Sequence, residues 1–173
     1  MNRSSSFTLT ASFPPSYNPT EIVNKSEALV RISMRSDYGA RAILDLAQRF
    51  GNGLTQTADI AARQQIPESY LEQLLTTVRK AGLIRSVRGP AGGHELARPP
   101  AEITLGHVVD ALEGVSSPST CMEDGACTVS DACVLQDVWG DLIESYHRIV
   151  HGITIAELLE RRAERESRSM YHI

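Results

Sequence analysis

Three cysteines, Cys121, Cys127 and Cys133, share one thirteen-residue stretch, CMEDGACTVSDAC, with five residues between each neighbouring pair. They are all the cysteines of the 173-residue chain. Thiolates are soft ligands, so three of them gathered in so short a segment read first as a site for a metal or cluster. A zinc knuckle spaces its cysteines two to four residues apart, so that one tight turn offers both sulfurs to one small ion. The wider gaps here favour something larger, an iron-sulfur cluster ahead of zinc. Gly125 and Ala126 would let the backbone come close and aim N–H groups at sulfur. Cys133 follows Ser130 and Asp131, which read as the start of a long helix, and the positive end of the helix dipole favours thiolate there. A disulfide would pair two cysteines and strand the third, in a chain with no secretory signal. Inert buried thiols would need a less polar segment than one holding Glu123, Asp124, Thr128, Ser130 and Asp131.

The composition is that of an ordinary globular protein, and no run of 18 apolar residues exists to span a membrane. The formal charge of −4 argues at first against a polyanion partner. The distribution argues the other way. Met34 to Arg98 holds nine Lys+Arg against six Asp+Glu, a net of +3, whereas Pro99 to Ile173 holds five against thirteen, a net of −8. A basic front half and an acidic back half suit a protein that touches nucleic acid with one end.

Residues 1–29 are rich in Ser, Thr and Pro and lack any helical or strand period, which predicts a disordered leader. Ser36 is expected to cap a helix with Ile43, Leu46, Ala47 and Phe50 on one apolar stripe. Thr55 or Thr57 opens a short helix to Arg63, and a second begins with Pro67 in its first turn and runs to Ala81. This pair forms a helix-turn-helix pattern, with Leu71, Leu74, Leu75 and Val78 facing the core. Ser69, Tyr70, Glu72, Gln73, Thr76, Arg79 and Lys80 occupy the other sides, where they could reach base edges and phosphates. A strand from Leu83 to Val87, a turn Arg88-Gly89-Pro90-Ala91-Gly92-Gly93 and a strand from His94 to Ala97 follow, the wing of a winged helix. Arg88 places a cation on this slender protrusion, suited to a minor groove. The glycines match neither GxxxxGK[ST] nor GxGxxG, so a phosphate-cradling enzyme loop is disfavoured.

Thr104 is expected to cap a short helix from His107 to Glu113, with His107 a helix residue rather than a ligand. After the cysteine segment a long helix from Ser130 to about His151 carries Val134, Leu135, Val138, Trp139, Leu142, Ile143, Tyr146, Ile149 and Val150, more than half its circumference. One small domain cannot bury so wide a face, whereas a second copy of the same helix could, which predicts a symmetric homodimer. The competing expectation is that the first and last helices cover it within one chain. Thr154 caps a last helix through about Arg165, and residues 166–173 are expected to fray. The fold class is mainly α: a winged helix-turn-helix with a small β-hairpin wing over 30–98, a connecting helix and cysteine loop over 99–129, and a long C-terminal dimerisation helix with a terminal helix over 130–165.

These segments, in this order, resemble the IscR and NsrR family of bacterial winged-helix regulators. The resemblance rests on Ser36-Asp37-Tyr38-Gly39 with Ala42-Ile43-Leu44-Asp45, on Ser69-Tyr70-Leu71-Glu72-Gln73-Leu74, on Val87-Arg88-Gly89-Pro90 with Gly92-Gly93, and on the three cysteines. It implies that Ser69, Tyr70, Glu72 and Gln73 present the recognition surface, that Arg88 and Gly89 form the wing-tip contact, and that Cys121, Cys127 and Cys133 hold an iron-sulfur cluster, 2Fe-2S or 4Fe-4S, whose state sets DNA affinity. IscR-like members take a fourth ligand from a histidine three residues beyond the third cysteine, where this chain has Gln136. NsrR-like members use an aspartate early in the first helix of the partner subunit, the position held here by Asp37. Family members also open with a Met-Arg-Leu-Thr-Ser type of start, matched by Val30-Arg31-Ile32-Ser33, which leads to the expectation that the native protein begins at Val30.

The expected function is therefore a cytoplasmic, dimeric regulator of transcription, a repressor that binds double-stranded DNA and senses redox state, nitric oxide or iron. It is not expected to be an enzyme. Zinc or a thiol switch in place of the cluster is the first alternative; an iron-sulfur carrier whose winged helix docks a partner is the second.

Overall fold

The computed structural model describes residues 32–89, 91–114 and 134–170. The three cysteines, Pro90 and the leader lie outside the described residues.

Helix α1 spans Met34–Ala47, and its cap is Ser33, whose hydroxyl accepts the Ser36 N–H at 3.0 Å. The expected cap, Ser36, lies instead within the first turn and is buried, with its hydroxyl turned to Glu113. The apolar stripe of Ala42, Ile43, Leu46 and Ala47 is buried, but Phe50 is exposed. Arg49 and Phe50 donate to the carbonyls of Leu46 and Ala47, an i to i+3 tightening that turns the chain off the helical path before Phe50 can join the stripe.

Helix α2 (Thr57–Gln64) opens on Thr57, one of the two expected threonines, with Gln56 at its cap position; Thr55 is committed elsewhere, as described below. Gln65 closes it in the left-handed conformation at φ 53°, its N–H bonded to the Ala61 carbonyl. Ile66 then drops into the core. Pro67 stands at the N-cap of α3 (Glu68–Lys80), one position earlier than expected, with its carbonyl accepting the N–H groups of Tyr70 and Leu71. Leu71, Leu74, Leu75 and Val78 are buried as the periodicity required.

The hairpin follows directly. Strands β1 (Ile84–Val87) and β2 (Gly93–Leu96) are antiparallel, pairing Ile84 with Leu96, Arg85 with Glu95, Ser86 with His94 and Val87 with Gly93. Beyond the ladder, Ala97 still donates to the Leu83 carbonyl at 3.0 Å.

A 3-10 turn (Pro100–Glu102) leads to α4, Leu105–Glu113, which begins two residues before the expected His107. Thr104 and His107 cap it reciprocally: the His107 N–H donates to the Thr104 hydroxyl and the imidazole Nδ1 accepts the Thr104 N–H. His107 is thus a capping residue.

Helix α5 (Val134–His151) and helix α6 (Ile155–Met170) complete the chain, α6 running five residues past the expected Arg165 with an Arg162–Glu166 pair at 2.9 Å on its outer side. One core gathers Ile43, Ile60, Leu71, Leu75, Val78, Ile84, Leu96, Val108 and Ile155 from both strands and every helix except α5, with Ile103 just after the 3-10 turn. Helix α5 is held at its C-terminal end, where Val150 is buried and His151 Nε2 meets Asp110 Oδ2 at 3.2 Å. Most of its described apolar face is uncovered: Leu142 is 54% and Ile149 70% exposed, with Leu135, Val138 and Trp139 also outside and Ile143 half-buried. The first and last helices do not cover this face within the chain.

Candidate nucleic-acid interface

Helix α3 presents Ser69, Glu72, Gln73, Thr76, Arg79 and Lys80 to solvent, because its one apolar side is spent on the core. Arg79 and Lys80 fall in its last turn, where cations complement the helix dipole. Tyr70 is placed differently from its neighbours. It is half-buried, its ring edge-on to Tyr38 of α1 at 6.0 Å between centroids, so it braces α3 against α1 and offers only part of its surface outward.

The wing stands beside this helix. Arg88 and Gly89 are exposed at its tip, and Gly89 has φ 119°, a backbone conformation that a side chain would disfavour. Two shallow depressions separate wing from helix. Leu75, Thr76, Arg79, Ser86, Val87, Arg88 and His94 line one, so Arg79 and Arg88 flank the same hollow from opposite sides. The other runs past Thr57, Glu68, Glu72, Gly89 and His94 to the start of α2. The structure therefore brings Glu72 and Gly89 to one depression and Arg88 to the other, the two sharing Val87 and His94; Ser69, Tyr70 and Gln73 lie on the helix outside both.

His94 and Thr57, which the sequence marked only as the start of a strand and the opening of a helix, sit where the wing joins the body. The imidazole Nδ1 lies 2.8 Å from the Ser86 hydroxyl across the hairpin, and Nε2 lies 3.1 Å from the Thr57 hydroxyl at the start of α2. The His94 backbone also exchanges both hydrogen bonds with Thr55, at 2.8 and 2.9 Å. Burial, reinforced by the charge of Arg79 and opposed by Glu72, holds the imidazole below its ordinary value, which favours its neutral form.

Asp37 is exposed in the first turn of α1, 3.6 Å from Arg41, and takes no part in either depression. Its neighbour Ser36 donates 2.6 Å to Glu113, the last residue of α4 and the end of the described chain but one before the cysteine segment. Behind the interface, Asp45 is 1% exposed in α1, bound through both oxygens by Arg63 at 3.0 and 2.7 Å and by Gln64 at 3.1 Å. Burial pushes its carboxyl up, but these bonds and the charges of Arg63 and Arg49 outweigh that and leave it below its ordinary value. The visible signal was a carboxylate among the apolar positions of α1 with Arg49 four residues on.

The sequence profile of Rrf2, described as an iron-dependent transcriptional regulator, matches residues 32–161. The chain belongs to the Rrf2 family. Among Rrf2-type relatives, the HTH-type transcriptional regulator IscR of Serratia proteamaculans is 38% identical over 130 residues, covering 75% of this chain and 79% of its own. T. potens IscR has a similar structure, with a TM-score of 0.65 at 38% identity over 77% of this chain and 88% of that one. CymR (YrzC), the global cysteine regulator of B. subtilis, superposes with a TM-score of 0.64 at 31% identity over 77% of this chain and 98% of that one. This Rrf2 protein is accordingly a DNA-binding regulator of transcription with a winged-helix fold.

Proposed function

We propose that the protein is a homodimeric repressor that reads DNA through α3 and the wing and senses cell chemistry through an iron-sulfur cluster held by Cys121, Cys127 and Cys133. One observation carries this reading. The chain joins an exposed helix-and-wing groove to three evenly spaced thiols set between α4 and a helix whose apolar face is uncovered. On α5, Leu135, Leu142 and Ile149 recur every seven residues, as do Trp139 and Tyr146, a spacing that suits the same helix of a second copy. Pairing there would set two wings on one DNA site.

The donor set fits a cluster: three thiolates supply most of the ligation, and Asp37 of the partner subunit completes it as an exposed carboxylate whose described ion pair, with Arg41, is a loose 3.6 Å. A bound cluster supplies a centre that reacts with oxidants and nitric oxide and is lost when iron is scarce. The chain's own residues carry the message. Glu113 ties the end of α4 to Ser33 and Ser36 at the head of α1, and α1 meets the reading helix through Tyr38 and Tyr70. A DNA reader of this kind works in the cytoplasm.

Anaerobic purification from cells supplied with iron and sulfide tests the reading. Visible absorption with matching iron and acid-labile sulfide is expected, lost in the triple Cys→Ser variant and altered in its decay by Asp37→Ala. The likeness to CymR favours one second reading, a thiol switch at the same cysteines. A colourless protein whose DNA affinity still follows added oxidant and reductant would support that instead.

A further inference from the structure

We infer that His94 is the positioning residue of the wing, a polar strut that sets the gap between Arg88 and the recognition helix and so determines how the two read one DNA site. The inference rests on the DNA-binding reading and goes beyond it, since neither resemblance nor motif pointed to this residue. Three segments meet at His94. Its backbone exchanges two hydrogen bonds with Thr55, ahead of α2; its Nδ1 meets Ser86 on β1; its Nε2 meets Thr57 on α2. It also floors both depressions between wing and helix.

The chemistry suits a strut. A neutral imidazole has one donor nitrogen and one acceptor nitrogen, and each hydroxyl can take the complementary role, so both contacts are satisfied whichever nitrogen carries the proton. The ring is flat and stiff, which fixes the Ser86-to-Thr57 span more narrowly than a flexible side chain would. The preceding residue shows how close the wing is drawn. A Cβ on Gly93 would stand 2.6 Å from the Thr55 carbonyl oxygen, so only glycine lets β2 lie against that segment. Arg79 and Glu72 on α3 are the charged groups that face the imidazole, and Arg88 borders the same hollow from the wing.

A strut differs from a general stabiliser in which DNA contacts it governs. The full-length protein is first used to select duplexes from a random pool, and those duplexes are the probe. Arg88→Ala and Gln73→Ala are then each measured alone and combined with His94→Leu, with circular dichroism and thermal unfolding as the check on folding. Because Arg88 depends on wing placement and Gln73 does not, the loss from Arg88→Ala, about tenfold in the wild type, should shrink to about twofold or less in His94→Leu. The loss from Gln73→Ala should be the same in both backgrounds. His94→Gln, which keeps a donor and an acceptor, should restore part of the Arg88 effect; it also serves if His94→Leu fails to fold. Additive losses for Arg88 in every folded His94 variant would overturn the inference. Failure of the wild type to enrich any duplex would instead strike the DNA-binding reading itself.

Discussion

The Ser36 hydroxyl donates a 2.6 Å hydrogen bond to the Glu113 carboxylate, joining the first turn of α1 to the last residue of α4 across 77 positions of sequence. Ser33 donates to the same oxygen. These two bonds, aided by Arg35, hold the Glu113 carboxyl below its ordinary value despite partial burial. Helix α1 thereby has its cap and its head fixed by a residue eight positions ahead of Cys121.

Glu113→Ala should therefore loosen the head of α1 more than it lowers overall stability. Glu113 itself is mostly exposed, so the expected cost is about 1 kcal/mol or less after solvent screening. Hydrogen exchange should speed up at the amides of 36–38 while those of α3 stay protected. Unchanged exchange there would remove the clamp.

Asp45 should behave as a buried carboxylate that depends on Arg63 reaching in from the surface, and loss of that partner should be felt throughout the reading domain. Arg63→Met strands the carboxylate with Gln64 and Arg49 and should cost about 3 kcal/mol. For a chain of this size that lowers Tm by roughly 6–12 °C. The folded carboxyl sits below 3.8, so the pair's contribution is present above that pH and is lost as pH falls through the folded value. The gap between wild type and variant should accordingly be full at pH 7 and close under acid. A gap independent of pH would contradict the ionised pair.

On α5, Leu142→Glu places a charge on a face that is uncovered in the single chain. The variant should fold and run as a monomer in sedimentation, and its affinity for the selected duplex should fall at least tenfold as one half-site is given up. A dimer that survives both Leu142→Glu and Trp139→Glu would place the partner elsewhere.

Arg79 and Arg88 flank one hollow, and each should contribute to the salt dependence of binding. Each Ala substitution should reduce the slope of log affinity against log salt by about 1 if the guanidinium meets a phosphate. If Arg88 instead reads groove width, its loss should relax sequence preference by about 1–3 kcal/mol. An unaltered slope and preference would exclude the residue from the interface.

Much of the fold could be read from local pattern. Leu71, Leu74, Leu75 and Val78 follow a period that only one helix face satisfies, and the run from Arg88 to Gly93 leaves little but a hairpin turn. The breadth of the apolar face on α5 was equally plain, and the structure leaves that face uncovered. Long-range polar contacts were not legible. His94 finds Thr57 across 37 residues and Ser36 finds Glu113 across 77, and neither has a periodic signature. Ser36 was expected to cap a helix because a serine before an apolar stripe usually does. Here Ser33 takes that role and frees Ser36 for Glu113. Asp45 was hidden for a similar reason, since a carboxylate on an apolar stripe reveals nothing of the arginine and glutamine brought over by the next helix.

Affinity for the selected duplex, measured without air at fixed salt for protein with and without bound iron and sulfide and for the triple Cys→Ser variant, tests the proposed coupling between thiols and DNA reader. A difference of at least about tenfold between the loaded and unloaded forms is expected, about 1.4 kcal/mol and within the usual range for coupled sites. The triple variant should match the unloaded form whatever iron is supplied. Equal affinity in all three preparations, or a wild type that retains no iron, would contradict it.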